Sequence, residues 1–307
     1  MEYISLMQAS REWGISESRL STLCAKNMID GAIRKNDSWL IPVIANAPDD
    51  ARESYELALS HNLNESYFKD IDDTLQELKL RGPMNEYTLR SINEDRNLRW
   101  IYNSNAIEGN TLTLRETQII LKGITIGGKS VKDHLEVVNH KDAIFFLEEL
   151  VNAGSELTER DIKDLHSLIL KGIDQKNAGK YRNANVIISG ARHVPPQHYL
   201  LQELMSKLIN KYQSWHNLHP VVRAAYLHGE FVKIHPFIDG NGRTSRLLMN
   251  FELMKAGYLP IIILQETRNK YYDALDKAHT TFDYTDFIKM IADYEIETIK
   301  FYLSMSQ

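Results

Sequence analysis

The run Ile234-His235-Pro236-Phe237-Ile238-Asp239-Gly240-Asn241-Gly242-Arg243-Thr244-Ser245-Arg246 gathers the residue types that phosphate chemistry needs. His235 is the side chain best suited to take a proton near neutral pH. Asp239 can hold a hard cation such as Mg²⁺ or Mn²⁺. Gly240, Asn241 and Gly242 form a turn whose amides can approach an anion, because glycine sets no Cβ in the way. The helix that follows adds unpaired N–H groups and a positive dipole end. Arg243 and Arg246, three residues apart, share a helical face and can grip one polyphosphate. Each part alone is explained by a turn before a helix and a core histidine. Together they describe a phosphate cradle with its own base.

A second stretch, Ser104-Asn105-Ala106-Ile107-Glu108-Gly109, puts a hydroxyl and a carboxylate four residues apart on one helical face. Gly109 is a natural helix stop. From residue types alone this is a helix end and nothing more.

The run from His235 to Arg246 resembles the Fic signature, HPFx[DE]GNGRxxR, without a departure. Leu247-Leu248-Met249-Asn250 and Tyr271-Tyr272 are similar in particular to the endoplasmic-reticulum Fic AMPylator of metazoans. The likeness covers roughly residues 90 to 303. It implies a protein adenylyltransferase that passes AMP from ATP to a Ser, Thr or Tyr hydroxyl. His235 would be the catalytic base and Asp239 the metal ligand. Gly240, Asn241, Gly242, Arg243 and Arg246 would hold the nucleotide phosphates. Tyr271 and Tyr272 would border the adenosine, and His279 stands where relatives have asparagine. Ser104, Glu108 and Gly109 match the inhibitory motif [ST]xxxE[GN] of the class that carries it before the core, where the glutamate pairs with the second arginine. The resemblance also implies a flap, at Ile187, Ile188, Ser189 and Gly190, that aligns the target by strand addition. ATP and Mg²⁺ or Mn²⁺ are the implied cofactors, and a protein hydroxyl the implied partner. Self-modification and a homodimer stay open.

The elements that must position these residues are mostly helical. Apolar periodicity marks helices over 51–80, 83–103, Leu114–Leu121, Val131–Ala153, Glu156–Gly172, Leu200–Trp215, Val221–Val232, Leu247–Ala256 and Phe282–Tyr302. The β-branched run Val186-Ile187-Ile188 and Gly190 suggest a short hairpin. His134, Glu136, His140 and His166 show no metal-ligand spacing and read as capped or solvated. The expected fold is mainly α: a Fic-type helical core with a β-hairpin flap, preceded by a small winged helix-turn-helix-like domain.

That domain is residues 1–42. Ser5 and Gln8 read as a capping box, Ser16 as the cap of a second helix, and 31–34 with 38–41 as a hairpin around Asn36-Asp37. Residues 43–50 form the linker, 51–103 a helical connector, and 104–303 the inhibitory helix and Fic domain. In the small domain Arg11, Arg19, Lys26, Arg34 and Lys35 are balanced by Glu2, Glu12, Glu17, Asp30 and Asp37. DNA affinity rests on phosphate neutralisation, so a neutral module is a weak DNA candidate, and a protein-docking or structural head is an equal reading.

The whole chain of 307 residues is 43% apolar and 25% charged with net charge −5, ordinary for a globular protein. Its pI of about 6.1 offers no basic excess for nucleic acid. One cysteine, Cys24, excludes an internal disulfide and a cysteine zinc site. With no membrane-spanning run and no signal-peptide core, a bacterial cytoplasm is the expected setting. Two other functions stay open: a DNA-binding regulator with a nucleotide-responsive Fic domain, and a de-AMPylating hydrolase in which Glu108 orients water.

Overall fold

The computed structural model describes residues 3–13, 17–25, 29–35, 38–45, 63 and 65–306. The Ser16 cap, the Asn36-Asp37 turn, the side chains of Glu2, Arg19, Lys26 and Asp37, and the stretch 46–62 lie outside it. The expected linker therefore falls largely beyond the described residues.

The first unit opens with β1 (Tyr3–Ser5), α1 (Leu6–Trp13) and α2 (Glu17–Ala25), then β2 (Ile33–Lys35) and β3 (Ser38–Pro42). Ser5 and Gln8 cap α1 reciprocally, Gln8 N–H to Ser5 Oγ at 3.2 Å and Ser5 N–H to Gln8 Oε1 at 3.0 Å. The antiparallel sheet runs β1-β3-β2, with Ile4 opposite Ile41 and Arg34 opposite Trp39. β1 was absent from the sequence reading, because three residues carry no measurable period. Ala9, Leu20, Leu23, Cys24, Ile29 and Ile41 form a core under the sheet.

The larger unit is helical: α3 (Glu65–Leu80), α4 (Glu86–Ile107), α5 (Leu114–Leu121), α6 (Val131–Asn152), α7 (Glu159–Ile169), α8 (Leu201–Ser214), α9 (Pro220–Ile234), α10 (Asn241–Lys255), α11 (Arg268–Thr281) and α12 (Thr285–Met305). Caps set several starts. Thr113 with Glu116 and Thr158 with Asp161 form capping boxes, and Asn85 and Ser130 cap α4 and α6. No helix among the described residues is long and apolar enough to cross a membrane.

α9 and α10 pack against each other at the centre. α9 begins with Pro220 at a position whose N–H would be unpaired anyway, and His219 caps it. Its inner face is Val221, Val222, Ala224, Ala225 and Leu227, small enough for close approach. Every residue from Thr244 to Leu253 of α10 is buried. A helix sealed on all sides in this way fixes whatever its first turn carries.

Two sequence expectations fail. The segment 185–196 has no strand among the described residues. It makes a turn, Ala191 N–H to Ile188 O at 3.2 Å, without a cross-strand ladder. Strand propensity reports packing on a half-buried surface, and Ile187 is 83% exposed with nothing to pack on. Phe282 does not continue a terminal helix. It takes a left-handed conformation (φ 60°) between α11 and α12.

Phe282 instead joins the two units. Its ring is buried in the core beneath the small sheet, and Lys233 Nζ lies 3.8 Å from the ring centroid. Phe282→Ala should cost the first unit about 3–5 kcal/mol, the usual range for an emptied aromatic site. Hydrogen exchange at Leu20, Leu23 and Ile41 is the measurement. Unchanged protection at those amides would show that Phe282 does not hold the unit in place.

Candidate active site

His235 is placed by a sequence rule. A residue preceding proline is disfavoured in the helical region, so α9 ends at Ile234 and His235 turns into a left-handed conformation (φ 51°, ψ 58°). Its N–H still reaches Phe231 O at 3.0 Å, and its carbonyl accepts from Arg182 Nε at 2.9 Å. Burial pushes the imidazole down to about 4, with the Val232 carbonyl opposing and the Arg182 charge assisting. At neutral pH His235 is neutral and able to accept a proton.

The turn after it is braced from within. Asn241 Oδ1 accepts from Phe237 N–H and Asn241 Nδ2 donates to Phe237 O, both at 2.9 Å. Asn241 thus spends its side chain on the loop and leaves its amide to the cradle. Gly240 is left-handed (φ 80°), and a Cβ there would press on the His166 ring at 3.2 Å. His166 stacks on Phe237 at 3.5 Å between centroids. Its Nδ1 accepts from Gly179 N–H at 3.0 Å, so Nε2 carries the proton and donates to Asp239 O at 2.8 Å. Burial lowers this ring to about 4. His166 was read from sequence as capped or solvated; it is a buried brace of the loop.

Asp239 presents a half-exposed carboxylate. Burial alone would raise it, but Arg243, the Gly240 amide and Lys132 hold it below the ordinary range. Its Oδ1 accepts from Gly240 N–H at 2.6 Å and from Arg243 Nη2 at 3.2 Å. Lys132 Nζ lies 3.9 Å from its Oδ2.

The two arginines of α10 are both buried, and each meets a carboxylate from a different helix. Arg243 Nη1 donates to Glu136 Oε1 of α6 at 2.9 Å. Asn110 Nδ2 donates to the other oxygen of Glu136 at 2.8 Å. Arg243 Nε has no partner. Arg246 Nη2 donates to Glu108 Oε1 at 2.8 Å and to Ser104 O at 2.7 Å, and its Nε donates to Ser104 Oγ at 3.0 Å. The structure therefore brings Ser104, Glu108 and Arg246 together at the mouth of the cradle. Glu108 caps the C-terminus of α4, and Gly109 (φ 93°) turns the chain away. A Cβ on Gly242 would lie 2.3 Å from Glu108 Oε1. The carboxylate occupies the space that glycine leaves open over the first turn of α10.

The tyrosine pair divides. Tyr271 is 1% exposed, and its hydroxyl meets His228 Nε2 at 2.9 Å, which in turn meets Ser245 Oγ at 3.0 Å. Its ring is a core brace of α10 and is closed to a nucleoside in this structure. Tyr272 is 38% exposed, with the Arg268 guanidinium 5.3 Å from its ring centroid. His279 is buried and donates to Gly229 O at 2.9 Å. In the segment Ile187-Ile188-Ser189-Gly190, Ile188 is half-buried and the other three residues are exposed. Asp276 ties its far side, accepting from Arg192 Nε at 2.6 Å and Arg192 N–H at 2.8 Å.

Sequence reading gave no role to Glu136, Asn110 or Arg182. A carboxylate inside the apolar stretch Leu135-Glu136-Val137-Val138 was the available signal for Glu136. Nothing in the sequence marked its partner.

Residues 156–253 match the Fic/DOC family. The chain is 38% identical over 250 residues to the protein adenylyltransferase Fic of Aedes aegypti, covering 79% of this chain and 48% of that one. It thus spans about half the length of the curated relatives it matches. The solved structure of Fic-1 from C. elegans is 31% identical, covers 80% of this chain and 73% of its own, and superposes with a TM-score of 0.73. A Fic domain containing signalling protein from Bacteroides thetaiotaomicron is 29% identical, with 77% and 96% covered and a TM-score of 0.72. A buried helix that starts at a glycine cradle, with a neutral histidine before it, is the Fic arrangement, and this chain belongs to the Fic family.

His140 of α6 lies beneath both arginines, and neither ring nitrogen has a hydrogen-bond partner. Burial, then the charges of Arg246 and Arg243, push it from 6.5 to about 3. The unfolded chain therefore binds a proton between those values that the fold refuses, so stability is lost as pH falls across that window. His140→Leu should remove about 1.4 kcal/mol per pH unit from the slope between about 6.5 and about 3. It should also raise stability at pH 7, since an unsatisfied buried polar atom costs about 1–3 kcal/mol. Urea unfolding at several pH values measures both, and an unchanged slope would contradict the assignment.

Proposed function

We propose that this chain transfers AMP from ATP to a hydroxyl of a protein and is held inactive by Glu108. The observation that carries the reading is the Arg246–Glu108 pair at 2.8 Å, set over the amide cradle beside a neutral His235. The insect relatives are named protein adenylyltransferases, which supports the same reaction.

In the reaction, the His235 imidazole takes the acceptor hydroxyl proton. The oxygen attacks the α-phosphorus of ATP, the bond from that phosphorus to the bridging oxygen breaks, and pyrophosphate leaves. The first-turn amides of α10 and Arg243 offset charge on the phosphates. Arg246 holds the terminal phosphate once Glu108 departs. Preorganised electrostatics and positioning supply most of the rate, as in other phosphoryl transfers.

A divalent cation fits this donor set. Asp239 offers a half-exposed hard oxygen at the cradle, and Mg²⁺ is usually held by one or two carboxylates plus substrate phosphates. Among the described residues no cluster of three or more His, Cys, Asp or Glu forms a resident metal site, which suits a cation arriving with its nucleotide. When bound, it would neutralise phosphate charge beside Asp239. The acceptor is a protein segment of extended backbone, and the chain's own hydroxyls are candidates for self-labelling.

Glu108 controls the site by geometry. It claims Arg246 and puts negative charge where the terminal phosphate must lie. Misplacing the reacting atoms by about 1 Å costs on the order of 100-fold. Glu108→Gly should therefore raise labelling by α-labelled ATP on the order of 100-fold. His235→Ala added to it should remove about 10²- to 10⁴-fold while ATP binding by calorimetry stays near its starting value. Equal labelling by wild type and Glu108→Gly would sink the inhibitory role. Undiminished labelling by the His235 variant would remove it as the base.

A further inference from the structure

Arg182 lies outside the signature run, yet it carries more hydrogen bonds than the position of a surface arginine requires. It is 3% exposed. Its backbone N–H donates to Pro236 O at 2.9 Å. Its guanidinium donates from Nε to His235 O at 2.9 Å, from Nη1 to Ala184 O at 2.8 Å and from Nη2 to Pro196 O at 2.6 Å. Among the described residues no carboxylate pairs with it. A buried charge satisfied by carbonyls alone is costly, so the planar fork must be serving a geometry that other side chains cannot.

The three carbonyls belong to three places. Ala184 and Pro196 are the two feet of the exposed segment that bears Ile187 to Gly190. His235 is the base. One rigid plane thus sets the spacing between both feet of that segment and the residue carrying the imidazole. The His235 backbone is left-handed without being glycine, and such a conformation persists only when its surroundings hold it. The Arg182 bond to its carbonyl, together with the Phe231 bond to its N–H, is that hold.

We propose that Arg182 is a positioning residue for the transfer: it registers the segment 184–196, on which the Fic resemblance would seat an extended acceptor peptide, to the His235 imidazole, so that a hydroxyl on that peptide meets the base. The proposal rests on the transferase reading above. Arginine is required because lysine offers one point of charge and cannot span three carbonyls in a plane. The Arg182 charge also helps to keep His235 neutral.

The test uses the full chain carrying Glu108→Gly, with Arg182→Lys or Arg182→Gln added. α-Labelled ATP reports labelling of the chain and of lysate proteins, and pyrophosphate release to water reports chemistry that needs no peptide on the segment. Calorimetry reports ATP binding. Both variants should bind ATP as before and lose protein labelling on the order of 100-fold, as a misplacement of about 1 Å would give. Release to water should fall less. With Arg182→Gln the acid limb of the rate should move to higher pH, because a neighbouring positive charge is gone, whereas Arg182→Lys should leave it in place. A purely structural role would lower ATP binding and every rate together without moving the acid limb, and would overturn the proposal. If Arg182→Gln does not fold, Arg182→Lys alone decides, since it keeps the charge and the stem but not the fork. Undiminished labelling in either variant overturns the role and leaves the transferase reading intact. Neither labelling nor pyrophosphate from Glu108→Gly itself would overturn both.

Discussion

Two guanidinium groups buried in the first turns of one helix set the terms for the rest of this structure. An unpaired buried charge costs far more than a domain's margin of stability can absorb. Arg243 and Arg246 therefore each require a carboxylate, and α10 has none to offer there. Glu136 comes from α6 and Glu108 from the end of α4. The packing of those helices on α10 is thus dictated by charge as much as by apolar contact. The loop before α10 is dictated too, because Asp239 shares Arg243 with Glu136. His166, Asn241 and the proline after His235 then lock that loop from three sides.

In the proposed reaction the same requirement would make the site both a phosphate site and a regulated one. Groups that must be neutralised when empty will accept a polyphosphate only by exchanging one anion for another. Glu136 is nearly sealed, with a second hydrogen bond from Asn110, whereas the Glu108 side chain is 29% exposed. Anion exchange at Arg246 is consequently far easier than at Arg243.

The sequence made the signature run legible because it compresses its chemistry into consecutive residues, whereas Ser104 to Gly109 was legible only through its resemblance to a Fic motif. Helix α5 was legible to the residue, and α6 and α8 to within one; Thr113 and Ser130 cap α5 and α6 from the adjoining position. What stayed hidden was contributed across the chain. Glu136 lies far from Arg243 in sequence, and Arg182 reaches His235 across more than fifty positions. Periodicity does not report pairings of that kind. The hairpin expectation over 185–196 failed for a related reason. Val186-Ile187-Ile188 has strand propensity, but propensity needs a surface to pack on, and Ile187 is 83% exposed. Tyr271 and Tyr272 were legible as a pair and not as individuals. Adjacent positions on α11 face different ways, one into the His228 network and one outward.

Why Glu108 is the partner that can leave follows from where it sits on its helix. It caps the C-terminus of α4, where the last carbonyls concentrate partial negative charge. A carboxylate there is disfavoured by about 0.3–1 kcal/mol at an accessible site. Glu136 lies within α6 and carries no such penalty. Ser104 offsets part of the strain by giving Arg246 two further acceptors from the same helix, so the arginine is held by α4 through three contacts. Two of them do not involve the glutamate. Loss of Glu108 alone would therefore leave Arg246 anchored to Ser104 through Nε and Nη2, with Nη1, which already has no partner, open to a terminal phosphate in the proposed reaction. An arginine held by its glutamate alone would swing away on release, and the cradle would lose the group it had just uncovered. In the proposed scheme, the serine one turn before the glutamate would keep inhibition and readiness on one side chain.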